Sequence, residues 1–153
     1  MPAAPTPKQQ LEFSIGKYTP EIAGLARQAL AKLRERLPGA IEFVYDNYNA
    51  LAIGFGPTER PSDAVFSVVL YPRWVLLYFL RGASLPDPAR RLKGGGTIGR
   101  HLVLHDVATL DDPQVMALMD EAIAFGEIPF DPKQRRKLLI RAVAAKQRAR
   151  RPA

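Results

Sequence analysis

The 153-residue chain has no cysteine. That excludes disulfides, thiolate metal ligands and cysteine nucleophiles, and it suits the reducing cytoplasm expected as its location. It also lacks any run of about 18 apolar residues, so no membrane span is expected. The opening MPAAPTPKQQ has no apolar segment of the kind a secretory leader carries. Residues 1–17 therefore read as a flexible N-terminal tail. Acids are almost missing from the other end. Residues 131–153 carry nine bases and Asp131 alone, whereas the remaining 130 residues hold 13 bases and 14 acids. The net charge of +7 thus belongs to the tail.

Signals for local structure are plentiful. Thr19-Pro20-Glu21 combines a capping hydroxyl, proline at a first helical position and an acid at the positive end of the helix dipole. Ile22, Leu25, Ala26, Ala29, Leu30, Leu33 and Leu37 follow at helical spacing, and Pro38-Gly39 stops them. Asn49–Phe55 alternates Leu51, Ile53 and Phe55 with Ala50, Ala52 and Gly54, as a strand does. Ala64–Tyr71 and Trp74–Leu80 form a hairpin about Pro72-Arg73. Because Trp74–Leu80 is apolar at successive positions, it is expected to be central and covered on both sides. Asp87-Pro88 is expected to open a short helix, and His101–Asp106 to form a further strand. Asp112-Pro113 and Asp131-Pro132 each read as a helix start. The order predicts an α+β fold, an antiparallel sheet with helices packed on one face, followed by a basic C-terminal helix. The implied division is a tail at 1–17, a domain at 18–126 and a basic helix or tail at 127–153.

One stretch carries a family resemblance. Gly82-Ala83-Ser84-Leu85-Pro86-Asp87-Pro88 ends the aromatic strand, Leu92-Lys93-Gly94-Gly95-Gly96 follows, and Arg100 leads a strand. With the Tyr45–Gly56 segment and the helix at 112–125, these resemble the YdhG-like family of domains of unknown function, over about Tyr18 to Phe125. The resemblance implies helices on an antiparallel sheet. It implies no settled activity, although the broader family includes frataxin-like iron chaperones.

The chemistry expected is binding. Gly94-x-Gly96-x-x-Gly99 matches the dinucleotide fingerprint as a pattern, but that fingerprint needs a strand before it and a helix after it. Here a strand follows, so no dinucleotide cofactor is expected. Successive glycine amides at Gly94, Gly95 and Gly96, with Lys93, Thr97 and Arg100, suit a small anionic ligand. On a strand, His101 and His105 share a face about 13 Å apart, so they line a groove and do not chelate one metal together. Trp74 and Tyr78 can join them over the small side chains of Ala52 and Gly54, giving an aromatic-lined cleft. No nucleophile elbow or local Ser-His-acid set is present, so no catalytic residue is assigned.

Two alternatives stand beside this one. Arg135, Arg136, Lys137, Arg141, Lys146 and Arg148 suit salt-dependent association with nucleic acid, although no aromatic is interleaved among them. Frataxin-like iron binding, implied by the resemblance, would need the acids Asp111, Asp112, Asp120 and Glu121, set against a first helix rich in bases. The apolar Trp74–Leu80 strand also permits a homodimer through a sheet face.

Overall fold

A computed structural model describes residues 3–153. Helix α1 (Pro7–Ile15) lies where a flexible tail was expected. Thr6 and Gln9 explain it: the Thr6 hydroxyl accepts from the Gln9 N–H, and the Gln9 side chain accepts from the Thr6 N–H. This reciprocal cap satisfies two orphan donors, and Leu11 and Ile15, one turn apart, are buried on the core. Helix α2 (Pro20–Arg36) starts at Thr19 as expected and buries Ile22, Ala26, Ala29, Leu30 and Leu33. Burying Leu30 and Leu33 contributes on the order of 2 kcal/mol each. Gly39 then turns the chain at φ +84°, the left-handed region where glycine is favoured.

Five strands follow as a meander with one helix after them: β1 (Ile41–Asp46), β2 (Leu51–Gly56), β3 (Phe66–Leu70), β4 (Val75–Phe79), β5 (Arg100–Leu104) and α3 (Pro113–Phe125). Strand β6 (Lys137–Val143) closes the sheet. The order is β5-β4-β3-β2-β1-β6, antiparallel throughout except that β6 runs parallel to β1. The α+β class is as expected.

The basic C-terminal helix is not. Residues 137–143 pair with β1, which would otherwise be an open edge, and Leu138 and Ile140 turn onto the core. Burial of these two alternate side chains overrides the helical propensity of KLLIRAV. The Asp131 carboxylate accepts the Lys133 N–H at 2.9 Å, making a turn and not a helix start. A second expected helix, at Asp87-Pro88, is also a turn. The Asp87 carboxylate accepts from the Arg91 and Leu92 N–H groups, and Arg90 at φ +54° turns the chain away from helical geometry.

The helices share one face of the sheet. Val44, Ile53, Val68, Leu77 and Leu102 line that face and join Ile15, Leu30, Leu33, Val115 and Leu118 in a single core. The opposite face is crossed by two rows set by the register. One runs Leu139, Phe43, Gly54, Ser67, Tyr78, His101, and the other Tyr45, Ala52, Val69, Leu76, Val103. Among the described residues no α-helix covers these rows; the connection after β2 lies over their middle, with Ala64 against Gly54 and Phe43 buried. Strand β4 is therefore covered on one side only, against expectation: Leu76 is half-buried and Tyr78 is exposed.

Candidate functional site

The glycine loop folds back on the free edge of β5. The Lys93 N–H donates to the His101 carbonyl at 2.7 Å, and the His101 N–H donates to the Lys93 carbonyl at 2.9 Å. Gly94 takes φ +120°, strained for any residue with a Cβ. At Gly99 a Cβ would fall 1.7 Å from the Tyr78 hydroxyl, so the Tyr78 ring lies directly on the loop. At Gly82 it would fall 2.5 Å from the Arg100 Cβ. By contrast Gly95 and Gly96 face open space.

Arg100 changes the reading of this loop. Its guanidinium donates to the carbonyl oxygens of Gly96 and Gly99. It is committed to holding the loop, whereas an anion site needs cations and N–H groups turned toward the ligand. Lys93 and Thr97 remain as exposed polar side chains.

The ten candidate residues divide between two places. Tyr78 and His101 are neighbours on adjacent strands, beside Gly94–Gly96. Trp74 precedes β4 and His105 follows β5, so the two meet at the opposite end of these strands, about 13 Å from His101 at ordinary strand rise. There they line a groove of about 570 Å³ with the first turns of α2. Arg73, Gln28, Glu21, Leu25 and Asp106 are among its other walls. Trp74 is 49 % exposed, and His105 is exposed as well. These additional wall residues were not read from the sequence as parts of a site. The Thr19-Pro20 cap and the Pro72-Arg73 turn are visible there, but their adjacency is a product of the fold.

A second feature had no sequence signal. Asp46 points from β1 onto the helix-covered face, almost wholly buried, and Arg150 reaches it from the C-terminal arm at 2.8 Å. The Ser14 hydroxyl donates to Asp46 at 2.8 Å, and Lys17 Nζ lies 3.3 Å away. Arg150 also donates to the carbonyls of Asn47 and Tyr48 and lies over the Tyr18 ring. Burial alone would push the Asp46 carboxyl up, but the hydrogen bonds from Ser14 and Arg150 and the charge on Lys17 outweigh it and hold the carboxyl below its usual range. Tyr18, buried and donating to the Leu70 carbonyl at 3.0 Å, is pushed up to about 12 by that burial, with Arg150 opposing. Nearer the middle of the sheet, Glu42 is held by the Arg34 guanidinium, with Nη2 at 2.8 Å from one carboxylate oxygen and Nε at 3.0 Å from the other.

The bases assigned to nucleic acid are all exposed, but along a strand and an arm. Arg135 and Arg136 precede β6, Lys137 pairs with Glu59 at 3.1 Å, and Arg141 lies at the bulge in the β1–β6 register. Lys146 and Arg148 belong to the arm that Arg150 anchors. As for the iron reading, Asp111 is paired with Lys32 and Arg36, and Asp112 with Arg91 at 2.7 Å. Hydrogen bonds from Lys32 and from Arg91, in turn, lower these two carboxyls. Among the described residues no three metal-ligating side chains converge. In these residues no helix is long and apolar enough to cross a membrane. The chain matches no family model, no curated protein and no solved structure.

Proposed function

We propose that this domain binds a small ligand with a flat, polar-edged ring, in the groove between the first turns of α2 and the ends of β4 and β5. The observation that carries this is the meeting of Trp74 and His105 across a groove of about 570 Å³. Sites for small organic ligands run to roughly 300–1,000 Å³ and combine apolar walls with a few polar groups. Trp74 and Leu25 supply a flat apolar wall here. Arg73, His105 and Gln28 supply an anion-compatible edge, while Glu21 and Asp106 bound the groove with acids. The role is binding, without a reaction assigned. Kinship with YdhG-like domains belongs to the same proposal. Its support is that Gly82, Gly94 and Gly99 each occupy a position where a Cβ would collide or be strained, which makes them fold-determining in this stretch.

Trp74 is the sole tryptophan, so its fluorescence reports on the groove directly. Titration with nucleosides, aromatic carboxylates and inorganic phosphate should give a saturable change for one ring-bearing class. His105→Ala should weaken that ligand about fivefold or more, the worth of one lost hydrogen bond. Lys93→Ala should leave it unchanged. A response abolished by Lys93→Ala and indifferent to His105→Ala would return the site to the glycine loop. No response from any member of the panel would refute the groove.

A further inference from the structure

The C-terminal arm makes a second surface, which adjoins the groove at Arg73 and Trp74. The arm is fixed against the β1–β2 turn: the Ala144 N–H donates to the Asp46 carbonyl and the Arg148 N–H to the Tyr48 carbonyl, each at 2.8 Å. With Arg150 turned inward, Arg148 is turned outward and lies over the Tyr48 ring, 5.4 Å from its centroid. Beside it a cavity of about 320 Å³ is lined by Asn49, Tyr71, Pro72, Arg148 and Ala149. Tyr71 stacks obliquely on Trp74, ring centroids 6.4 Å apart. Bases that look unaccompanied by aromatics along the chain are thus brought among three aromatic rings by the fold.

The segments that build this surface carry exposed charge of one sign, while Glu21 and Asp106 lie in the adjoining groove. The three segments, residues 46–50, 71–74 and 144–151, contain a single carboxylate, Asp46, which is buried and already paired. Arg148 lines the cavity, and Arg73, Lys146 and Arg151 are exposed on the same three segments, Arg151 with its Nε donating to the Lys17 carbonyl at 3.2 Å. Tyr48 is 44 % exposed.

We propose that this surface binds single-stranded nucleic acid, with phosphates on Arg73, Lys146, Arg148 and Arg151 and an unpaired base in the cavity between Tyr71 and Arg148. A duplex offers phosphates to such a patch but keeps its bases stacked, so it leaves the cavity empty. An acidic peptide would use the bases but not the rings. Single strands use both, because every base has a face to stack. Asn49 gives the cavity an amide that can donate to and accept from a base edge.

The test is fluorescence anisotropy of the full chain with a labelled 12-nucleotide single strand, the corresponding duplex, and a poly-glutamate peptide. Neutralising three to four phosphates on a single strand gives a salt slope of about −2 to −3, hence a loss of roughly 20- to 50-fold between 50 and 200 mM salt. Arg148→Ala and Tyr48→Phe/Tyr71→Leu, each checked for retained fold by circular dichroism, separate charge from stacking. Arg148→Ala should weaken the single strand at least about tenfold, since it removes both a phosphate contact and a stacking partner. Tyr71→Leu should weaken it about fivefold or more, the lower end of a lost base stack, while Tyr48→Phe, which keeps the ring, should not. Arg135→Ala with Arg136→Ala, at the far end of β6, should have little effect. Equal affinity for duplex or peptide, indifference to Tyr71→Leu, or absence of binding at 50 mM salt would each overturn the proposal.

Discussion

Replacing Arg150 by alanine should cost about 3 kcal/mol, far more than one arginine among the nine bases of residues 131–153 would suggest. The reasoning runs through Asp46. Arg150 and Asp46 are both almost wholly buried and 2.8 Å apart. Removing one member of a buried pair leaves the other charge uncompensated, at a cost of about 3–5 kcal/mol. Ser14 and the half-buried Lys17 stay on Asp46, which places the loss at the lower end. The arm also loses its bonds to the Asn47 and Tyr48 carbonyls. Urea unfolding at pH 7 reads the effect: with a slope of about 2 kcal/mol/M, the midpoint should fall by about 1.5 M at unchanged slope. Arg151→Ala, at an exposed neighbour, should move it by less than about 0.3 M. A midpoint shift for Arg150→Ala as small as that of Arg151→Ala would refute the docked arm. The pH dependence gives a second reading. Because the folded Asp46 carboxyl lies below its unfolded value, the unfolded chain binds more protons under acid conditions. Its contribution is complete above the unfolded value of about 4 and is lost as pH falls through the lower folded one. Asp46→Asn should lose stability at neutral pH and flatten that acid limb.

Tyr18 makes the corresponding prediction in alkali. Its folded value of about 12 lies above the ordinary 10, so its contribution is complete below pH 10 and is lost between pH 10 and 12. Tyr18→Phe should lose about 1 kcal/mol at neutral pH with its hydrogen bond to Leu70, and should show a shallower alkaline limb in the same urea assay. Truncation after Gln134 should do more than shorten a tail. It removes β6, bares the β1 edge and uncovers the core beneath Leu138 and Ile140, so near-ultraviolet circular dichroism and a cooperative thermal transition should both be lost. A truncated chain that melts as cooperatively as the full one would show that β6 is dispensable.

What could be read from the sequence was whatever local chemistry decides. The caps at Thr19 and Asp112, the stripe from Ile22 to Leu33 and the alternation of Leu51, Ile53 and Phe55 each need only neighbours within one element. They placed α2, α3, β2, β5 and the β3–β4 hairpin. Strand β1 was missed although Ile41, Phe43 and Tyr45 alternate in IEFVYD; they lie on the face away from the helices, and the helix-facing positions are Glu42, Val44 and Asp46. Its partners are Arg34 on the preceding helix and Arg150, 104 residues away. For α1 the signal was present, Thr6 with Gln9 and then Leu11 with Ile15, but it lies among prolines and alanines that suggest a loose tail. In the glycine loop the direction of the Arg100 side chain was not legible, because it depends on the Gly96 and Gly99 carbonyls that the closed loop presents to it.

The C-terminal bases show why charge counted along a chain is a poor guide to charge on a surface. Nine bases in 23 residues look like one sticky segment. In the fold they have at least three duties: Arg150 is interior and ties the arm to β1, Lys137 is paired with Glu59 on the neighbouring loop, and Arg148 is held outward over an aromatic ring. The inward arginine makes the outward one useful. An unanchored arm would have to lose its conformational freedom on meeting a ligand, at about 1–2 kcal/mol of backbone entropy per residue fixed. An arm already held at Asp46 has met most of that cost on folding. Under the proposed single-strand reading, stability and binding are coupled through one residue: Arg150→Ala should weaken single-strand binding because Arg148 and its neighbours on the arm are no longer held in place.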